Sequence, residues 1–508
     1  MPRRATAKSL TIPPPVMGWN TRDPISTMDQ QYAVEMENYF PDAGVVALRK
    51  GYRQHATGVG TSTVPTIYPL EYGSVSKLFA VGGSNSKPYD ASSAGAASLI
   101  DGGVTTFATS RCCVHQFRDR LFIKPVIGAG VCDVYHWTGT GNVTASAFTG
   151  PSGDDKDLFV IGSYKNRLYF GQFSAPSIWY GGVDAVTGAL TEFPLTSVLR
   201  SGHSYIFFCG SIARAKQAVE DDLFCVVTDT GEVLIYSGDN PGSTTWSLIG
   251  RYQIPKPVSE RAFFYSGADL LVVTQIGVIS IGKMISGTYD GQWPLINDTI
   301  KSAFVYAFND SGINTLNDLT SMGLAYPKGG YLSVNYHEGN DVYSQLVMNT
   351  VSGSWCKFTG QNAQSWAVWA NGLYFGCVSD GKIFKADNGY FDEDPASAGN
   401  AKSRTCLLRP AYNYFDDRST TKQFTQARVI LQESEGLSLT VDADVDYADT
   451  TPTSTISNTT DTSYKRYTVN AGLSGIGKAA SIRFEQSVTT KRRSIEAIEV
   501  FWNEGDIS

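Results

Sequence analysis

The sequence predicts an all-β protein, with a β-propeller of about six or seven blades and a C-terminal antiparallel β-sandwich. Composition is the first observation, because aromatic residues make up 12% of the chain and charged residues only 18%, against a usual charged share of about 25%. Aromatic residues fit pleated strands, and the 50 glycines fit tight turns. The second observation is a strand–turn–strand unit that recurs about every 40–50 residues, a period typical of propeller blades. The third is an alternation of apolar and polar residues near the end of the chain.

Residues 1–15 are predicted to form an extended arm, because the prolines at 13–15 enforce an extended path. A neighbouring subunit is the simplest element to hold such an arm in place. Residues 16–63 are predicted to join the arm to the propeller. Within them, apolar residues at helical spacing predict a short helix over Asp29–Tyr39, and the strand VVALRKGYR follows a turn.

Residues 64–395 are predicted to form the propeller. The clearest repeats are FRDRLFIKP at Phe117–Pro125 and YKNRLYFGQ at Tyr164–Gln172, each followed by a further aromatic strand. A small sheet cannot bury both of its faces, whereas a ring of stacked blades buries them and leaves only short edges. One large sandwich of hairpins is the alternative. The segment Ser237–Trp246 is similar to the Asp-box turn of sialidases, with two extra residues, and such turns are structural elements of propellers.

Residues 396–508 are predicted to form the β-sandwich, because segments such as FTQARVILQ and LSLTVDADV alternate apolar and polar side chains. In the second of these segments Asp442 and Asp444 alternate, and Asp446 continues the pattern. Three like charges on one face repel one another unless they are solvated or bridged by a cation. We expect exposed acids here, and a calcium site at Asp442, Asp444 and Asp446 is the alternative.

The sequence contains few signs of chemistry. It has five histidines without an H-E-x-x-H motif, no G-x-S-x-G elbow and no P-loop, so we expect neither an enzyme nor a cofactor. A glycosidase carboxylate pair remains open, although nothing singles out an acid and a base. The eight cysteines form no C-x-x-C pair and are predicted to be reduced, buried thiols. No apolar run is long enough to predict a membrane-spanning segment.

The N-terminal block GWNTRDP…QYAVEMENYFPDAGVVALRKGYR resembles the opening of the tail nozzle, or packaged-DNA stabilisation (tail hub), proteins of short-tailed phages. These proteins show a G-x-N-x-x-D segment, then A-x-x-x-x-N-x-x-P, then an R-x-G-Y/F strand. The unit around GLYFGCVSDGKIFKAD is similar to their final blade. The matching positions of the N-terminal block are Gly18, Asn20, Asp23, Ala33, Asn38, Pro41, Arg49, Gly51 and Tyr52.

The resemblance implies a structural protein of the virion tail, assembled in the host cytoplasm as a homo-oligomeric, hexameric ring. Such a ring lies below the portal–adaptor ring, contacts tail fibre, spike or plug proteins, and passes DNA through its lumen without sequence-specific binding. The net charge of −7 agrees with a wall that does not grip DNA. The motif residues are expected to fix the fold: Arg49 by reaching a carboxylate, and Gly51 by adopting an unusual backbone angle. The alternative function is a phage carbohydrate-binding or depolymerase propeller, acting as a tail adhesin.

Overall fold

Strands make up most of the chain in the computed structural model. It describes residues 7–103, 107–126, 130–173, 175–200, 205–212, 222–287, 292–310, 321–433, 437–449, 454–458 and 464–504. The helices are few and short: Ile281–Ile285 and Lys301–Val305 are α-helical, Tyr306–Asp310 is a π-turn, and Pro151–Gly153, Asp298–Ile300 and Pro327–Gly329 are 3-10 turns. No helix in these ranges is both long and apolar enough to cross a membrane.

Six blades follow one another along the chain, each an antiparallel sheet built from one continuous stretch. The strands of blade 1 are Thr66–Tyr72, Val75–Val81, Pro88–Asp90 and Ser98–Leu99; of blade 2, Cys112–Phe117, Arg120–Pro125, Tyr135–Trp137 and Thr144–Ala145; of blade 3, Leu158–Tyr164, Arg167–Gln172, Ser177–Tyr180 and Thr191–Pro194. The strands of blade 4 are Ile206–Ile212, Leu223–Thr228, Glu232–Ser237 and Ser247–Gln253; of blade 5, Phe263–Ser266, Asp269–Thr274 and Gly277–Ser280; of blade 6, Met322–Tyr326, Tyr331–Gly339, Val342–Asn349 and Trp355–Phe358.

A composite sheet closes the ring. Its inner strands Ala363–Trp369, Gly372–Cys377 and Ile383–Ala386 follow blade 6, whereas its outer strand Arg53–Thr57 comes from the N-terminal part of the chain. The short strand Gly95–Ala96 pairs with that outer strand. The ring is therefore closed by pairing two segments that lie far apart in the sequence.

Buried apolar clusters fill every gap around the ring. Blades 1 and 2 share a cluster, as do each following pair, and the closing sheet shares one cluster with blade 6 and another with blade 1. Each sheet thus buries both faces against its neighbours, which is the physical reason for closure. The predicted β-propeller is confirmed, and the single-sandwich alternative is not what the chain forms.

Local turn chemistry explains why the repeated hairpins form. Lys165 and Asn166 both have positive φ, at 44° and 58°, and Asn340 and Asp341 repeat this pattern at 50° and 58°. Two consecutive positive φ angles define the hairpin turn whose twist matches that of the flanking strands, and Asn and Asp tolerate this conformation.

Two further sheets share one buried cluster beside the propeller, and we call them the paired sheets. Sheet I contains Ala7–Ile12, Tyr39–Asp42, Val45–Leu48, Lys422–Glu433, Lys465–Gly472, Ile476–Gly477 and Arg493–Glu504. Sheet II continues blade 6 through Gly18–Trp19, Tyr32–Glu37, Arg404–Pro410, Ala480–Val488, Leu437–Val445 and Ser454–Asn458. Two short pairs, Phe148–Thr149 with Gly188–Ala189 and Asp392–Glu393 with Ala401–Lys402, complete the strands. A separate sandwich beginning at residue 396 stays a prediction, since both sheets also include N-terminal strands.

The helix predicted over Asp29–Tyr39 is wrong, because Tyr32–Glu37 is a strand that pairs with Arg404–Pro410. A register shift lies between Ala33 and Glu35 in this pairing. The extra residue lets Ala33 and Met36, three positions apart, both face the core of the paired sheets. A bulged strand therefore showed the spacing of a helix.

Residues 1–6 of the predicted arm lie outside the described residues, and Ala7–Ile12 is an extended strand whose pairing partner lies in the same chain and not in a neighbouring subunit. Ala7–Ile12 pairs antiparallel along its whole length with Arg493–Glu504 of the same chain. A neighbouring subunit is not needed to order this segment, because its backbone hydrogen bonds are made within the molecule.

Candidate functional site at the junction of the propeller and the paired sheets

Arg49 lies at the centre of a buried polar network where the paired sheets meet the propeller. It directly follows the strand Val45–Leu48, and its side chain is almost wholly buried. Its two terminal nitrogens bind the two carboxylate oxygens of Asp392, with the Nη1–Oδ1 distance at 2.8 Å. The expectation that Arg49 reaches a carboxylate is confirmed. Burial by itself lowers the pKa of the Arg49 guanidinium, but the charge and hydrogen bonds of Asp392 raise that pKa above its ordinary value.

A second arginine binds the same carboxylate. Arg404 Nη1 donates to Asp392 Oδ1 at 3.0 Å, and Arg404 Nη2 donates to the carbonyl oxygens of Arg49 and Tyr390. Because Arg404 opens the first C-terminal strand of sheet II, this carboxylate joins an N-terminal residue to a C-terminal one. The arrangement is two cations around one anion, and backbone carbonyl oxygens accept further hydrogen bonds from the terminal nitrogens of both arginines. The buried Arg404 Nε has no hydrogen-bond partner among the described residues.

Asn38 completes the network. Its backbone φ is 57°, and its side-chain nitrogen donates to Thr359 Oγ1 and to the carbonyl oxygen of Thr405, each at 2.7 Å. Its side-chain oxygen accepts from Arg49 Nε at 2.7 Å and from the Thr359 amide at 3.0 Å. Asn38 therefore connects the N-terminal segment with the last strand of blade 6 and with sheet II, and the amide is fully hydrogen-bonded.

Gly51 and Tyr52 lie next to this network. The expectation that Gly51 needs an unusual backbone angle is wrong, since Gly51 is absent from the glycines with positive φ. The reason for glycine is close approach: a Cβ at this position would lie 1.9 Å from the carbonyl oxygen of Phe391. Tyr52 packs edge-on against Phe375 and Phe384 of the closing sheet, with ring centroids 5.2 Å apart in both pairs.

The earlier motif residues position the entry into sheet II. Gly18 has φ of +82°, and a Cβ there would lie 2.5 Å from the carbonyl oxygen of Trp355. Asn20 Oδ1 accepts from the amides of Arg22 and Asp23, and its Nδ2 donates to the Asp23 carboxylate at 2.8 Å. This turn is held by side-chain hydrogen bonds to neighbouring backbone groups.

Ala33 and Pro41 both lie in strands of the paired sheets. Ala33 is fully buried between the paired sheets. Pro41 pairs with Val46 in the hairpin of sheet I, and its carbonyl oxygen accepts from Asn349 Nδ2 at 2.9 Å. All nine motif residues therefore serve local geometry or the junction, and Arg49, Asn38, Gly51 and Tyr52 form one contiguous group.

Sequence reasoning missed Asp392 and Arg404. Asp392 lies in the acidic run FDEDP, which carried a carboxylate signal but nothing to single out one acid. Arg404 lies in a segment that reads as a linker followed by a strand. Their roles depend on contacts to Arg49, which is more than 340 positions away from either of them in the chain.

The prediction of exposed acids is wrong for Asp442 and Asp444, which are buried, and is confirmed for Asp446, which is exposed. Asp442 is 7% exposed and Asp444 is fully buried, with its Oδ2 3.3 Å from Arg409 Nη1. Asp446 lies beyond the strand at φ of 49°, and its Oδ1 accepts from the amides of Lys478 and Ala479. Arginine and backbone donors thus surround these acids, and the described residues include no group of three His, Cys, Asp or Glu side chains that could hold a metal ion.

The eight cysteines are all free thiols, as predicted. All are buried except Cys113, which is partly buried. Burial raises the pKa of the Cys209 thiol to about 12, so it stays protonated at neutral pH.

No protein-family model matches the chain. No curated protein matches it either. Among solved structures, a streptogramin B lyase is 13% identical with a TM-score of 0.42, covering 66% of this chain and 96% of its own. Virginiamycin B lyase from Staphylococcus aureus is 11% identical with a TM-score of 0.40, covering 64% of this chain and 94% of its own. YCF48 bound to D1 peptide is 11% identical with a TM-score of 0.36, covering 70% of this chain and 98% of its own.

Proposed function

We propose that the protein is a structural ring protein of a short phage tail, a nozzle or hub that forms the DNA channel below the portal–adaptor ring. In this role it retains packaged DNA and guides its ejection. The observation that carries the proposal is the junction: the residues of the N-terminal resemblance are used to fasten both ends of the chain to the propeller. Asn38 and Arg49 are buried there and hydrogen-bonded to each other, and Tyr52 is buried beside them.

In this proposal the DNA channel lies between subunits and not along the axis of one propeller. The axis of the propeller holds a cavity of about 410 Å³ that is lined by side chains of the six blades and the closing sheet. A small-molecule pocket has a volume of this order, so a DNA duplex does not fit into it. A ring of several copies around a common axis supplies the wider conduit that the function requires.

Charge supports the same role. With 41 basic and 48 acidic residues, the chain carries a formal charge of −7 at pH 7. A wall of this sign repels the phosphate backbone, whereas proteins that grip DNA present basic surfaces to it.

The test is the oligomeric state of the purified full-length chain. Mass photometry from nanomolar to micromolar concentration and negative-stain imaging are expected to detect a closed ring, six copies by the resemblance, with a central hole wider than a DNA duplex. A chain that stays monomeric or trimeric and releases sugars from bacterial envelope polysaccharide would instead identify the depolymerase alternative.

A further inference from the structure

The axial cavity of the propeller ends at two consecutive charged residues, Glu260 and Arg261. The first strands of the blades surround the axis, and that of blade 5 is Phe263–Ser266. Glu260 and Arg261 come just before this strand, and both contribute to the wall of the cavity. Their side chains extend towards other sheets of the ring, so their partners show what they span.

The ion pair of Glu260 crosses the axis. Its Oε1 lies 3.1 Å from Nε of Arg111, which comes just before the first strand of blade 2. Blades 2 and 5 are separated by blades 3 and 4 on one side of the ring, and by blade 6, the closing sheet and blade 1 on the other. They therefore face each other, and a contact between them passes through the middle of the ring.

Arg261 makes a second set of contacts across the ring. Its Nη1 donates to the carbonyl oxygen of Pro65, just before blade 1, at 2.8 Å, and its Nη2 donates to the carbonyl oxygen of Gln364 in the closing sheet at 3.4 Å. The side chain of Glu260 is 0% exposed. Solvent therefore does not reach the carboxylate from either side, and the two residues fill the axis here.

The opposite end of the axis is open to solvent. Tyr265 lies near the end of the strand Phe263–Ser266 and lines the same cavity, but it is 47% exposed. Its hydroxyl donates to the carbonyl oxygen of Ser211 in blade 4 at 2.6 Å, so the ring is held beside the inner strands. Such exposure in an innermost strand requires that solvent enters along the axis at this end.

We propose that Glu260 and Arg261 plug the axis at one end, so that solutes enter the axial cavity only at the other end, beside Tyr265. The ion pair and the hydrogen bonds hold the plug, because they fasten it to sheets on the far side of the ring. Charged groups withdrawn from water need such partners, which favours the closed arrangement. The plug belongs to a single subunit, so its test does not depend on whether subunits assemble into the ring proposed above.

Cys113 reports access to the cavity. It lines the cavity wall and is partly buried, whereas the other cysteines are buried. Burial and the charge of Glu260 raise the pKa of this thiol, and the charge of Arg261 lowers it. N-ethylmaleimide is a small neutral thiol reagent, and we expect it to label Cys113 before any other cysteine of the native full-length protein. Peptide mass spectrometry measures the rate at each cysteine.

Val368→Trp narrows the open end. Val368 is the last residue but one of the inner strand Ala363–Trp369, and it lines the cavity. Labelling of Cys113 is expected to slow by about ten-fold or more, because the reagent must pass this position. Val351→Trp is the matched control, since Val351 is 91% exposed in a turn of blade 6, and labelling stays at the wild-type rate. An unchanged rate in Val368→Trp would overturn the proposal, because the reagent would then arrive past the plug.

Removing the plug from the Val368→Trp protein tests the two charged residues. Glu260→Ala and Arg261→Ala are each expected to restore labelling of Cys113 to about the wild-type rate. The two substitutions shift the pKa of Cys113 in opposite directions, so faster labelling in both reports an opened path and not a more reactive thiol. Glu496→Ala removes an ion pair of the paired sheets and is the control that leaves labelling slow.

Cys356 distinguishes an opened plug from an unfolded protein. This thiol is fully buried in the core of the paired sheets, so it is labelled only when that core opens. If Val368→Trp exposes Cys356, Ala325→Trp replaces it, because Ala325 also lines the cavity and is the last residue but one of Met322–Tyr326. Labelling of Cys113 that stays slow in both plug variants, with Cys356 protected, would show that Glu260 and Arg261 do not close the axis.

Discussion

Asp392 is the residue on which the junction depends. A buried carboxylate is expensive to desolvate, and here two guanidinium groups offset that cost, from Arg49 on one side and Arg404 on the other. The pair is not a sign of unusual stability, since well-packed apolar residues often replace buried ion pairs without loss. Removing the carboxylate alone is destabilising, because the two remaining guanidinium charges are then buried without compensation.

Asp392→Asn is therefore expected to lower the free energy of unfolding by about 3–5 kcal/mol. Urea denaturation followed by tryptophan fluorescence measures this change. Glu496→Gln is the control, because its partner Arg466 is 63% exposed and surface pairs contribute only about 0–1 kcal/mol. An Asp392→Asn variant as stable as this control would show that the network does not hold the junction.

For single residues, the type of interaction was predictable from the sequence, but the residue that supplies the partner was not. The resemblance implied that Arg49 reaches a carboxylate, and a buried guanidinium does require such a partner. The sequence could not identify Asp392, since pairing across more than 300 positions leaves no local pattern. Gly51 illustrates the same limit: an unusual backbone angle was expected there, whereas glycine is required by the close approach of Phe391, which is a tertiary contact.

At the scale of elements, hairpins were the most predictable part of the fold. The segment YKNRLYFGQ contains the turn residues Lys165 and Asn166 with aromatic residues on either side of them, so the structure of this hairpin is decided locally. The strand Tyr32–Glu37 was not predictable in this way, because a bulge changes the spacing of its buried residues. Bulges are set by the partner strand, which a local pattern does not reveal.

The strand Ala7–Ile12 supports one edge of sheet I through pairing with Arg493–Glu504. Deleting residues 1–12 is expected to speed amide hydrogen exchange over residues 498–503 by at least about ten-fold, because the newly exposed edge opens more easily. Exchange mass spectrometry measures this, with the amides of blade 3 as the internal control that stays unchanged. If residues 498–503 keep their protection in the truncated chain, the strand contributes nothing to the paired sheets.

At the scale of the whole molecule, the period of the repeats predicted the propeller, but nothing in the sequence predicted how the ring closes. Closure pairs Ile383 with Ala56 and Phe384 with Gln54, residues from opposite parts of the chain. The paired sheets are mixed in the same way, since N-terminal and C-terminal strands share one core. Both ends of the chain therefore return to one place, where the Asp392 network joins them to the propeller.

This mixing predicts what happens when the chain is divided between residues 395 and 396. The fragment 396–508 retains Arg404–Pro410 and Arg493–Glu504 but loses the N-terminal strands that pair with them, so apolar core residues become exposed. We expect that fragment alone to precipitate or to give poorly dispersed amide spectra, because a core without its partner strands cannot offset the entropy of folding. Co-expressed with residues 1–395, it is expected to co-purify as a complex, because the missing strands are then supplied.

The control is the intact chain carrying a protease site in the turn at residues 396–400, whose backbone hydrogen bonds are local. After cleavage, both pieces are expected to stay together in gel filtration and to melt within a few degrees of the uncut protein, since every strand pairing survives the cut. A fragment 396–508 that is monomeric and unfolds cooperatively without its partner would reverse this conclusion. The C-terminal sandwich would then be the independent domain that the sequence predicted, and the N-terminal strands would be additions to a core that is already complete.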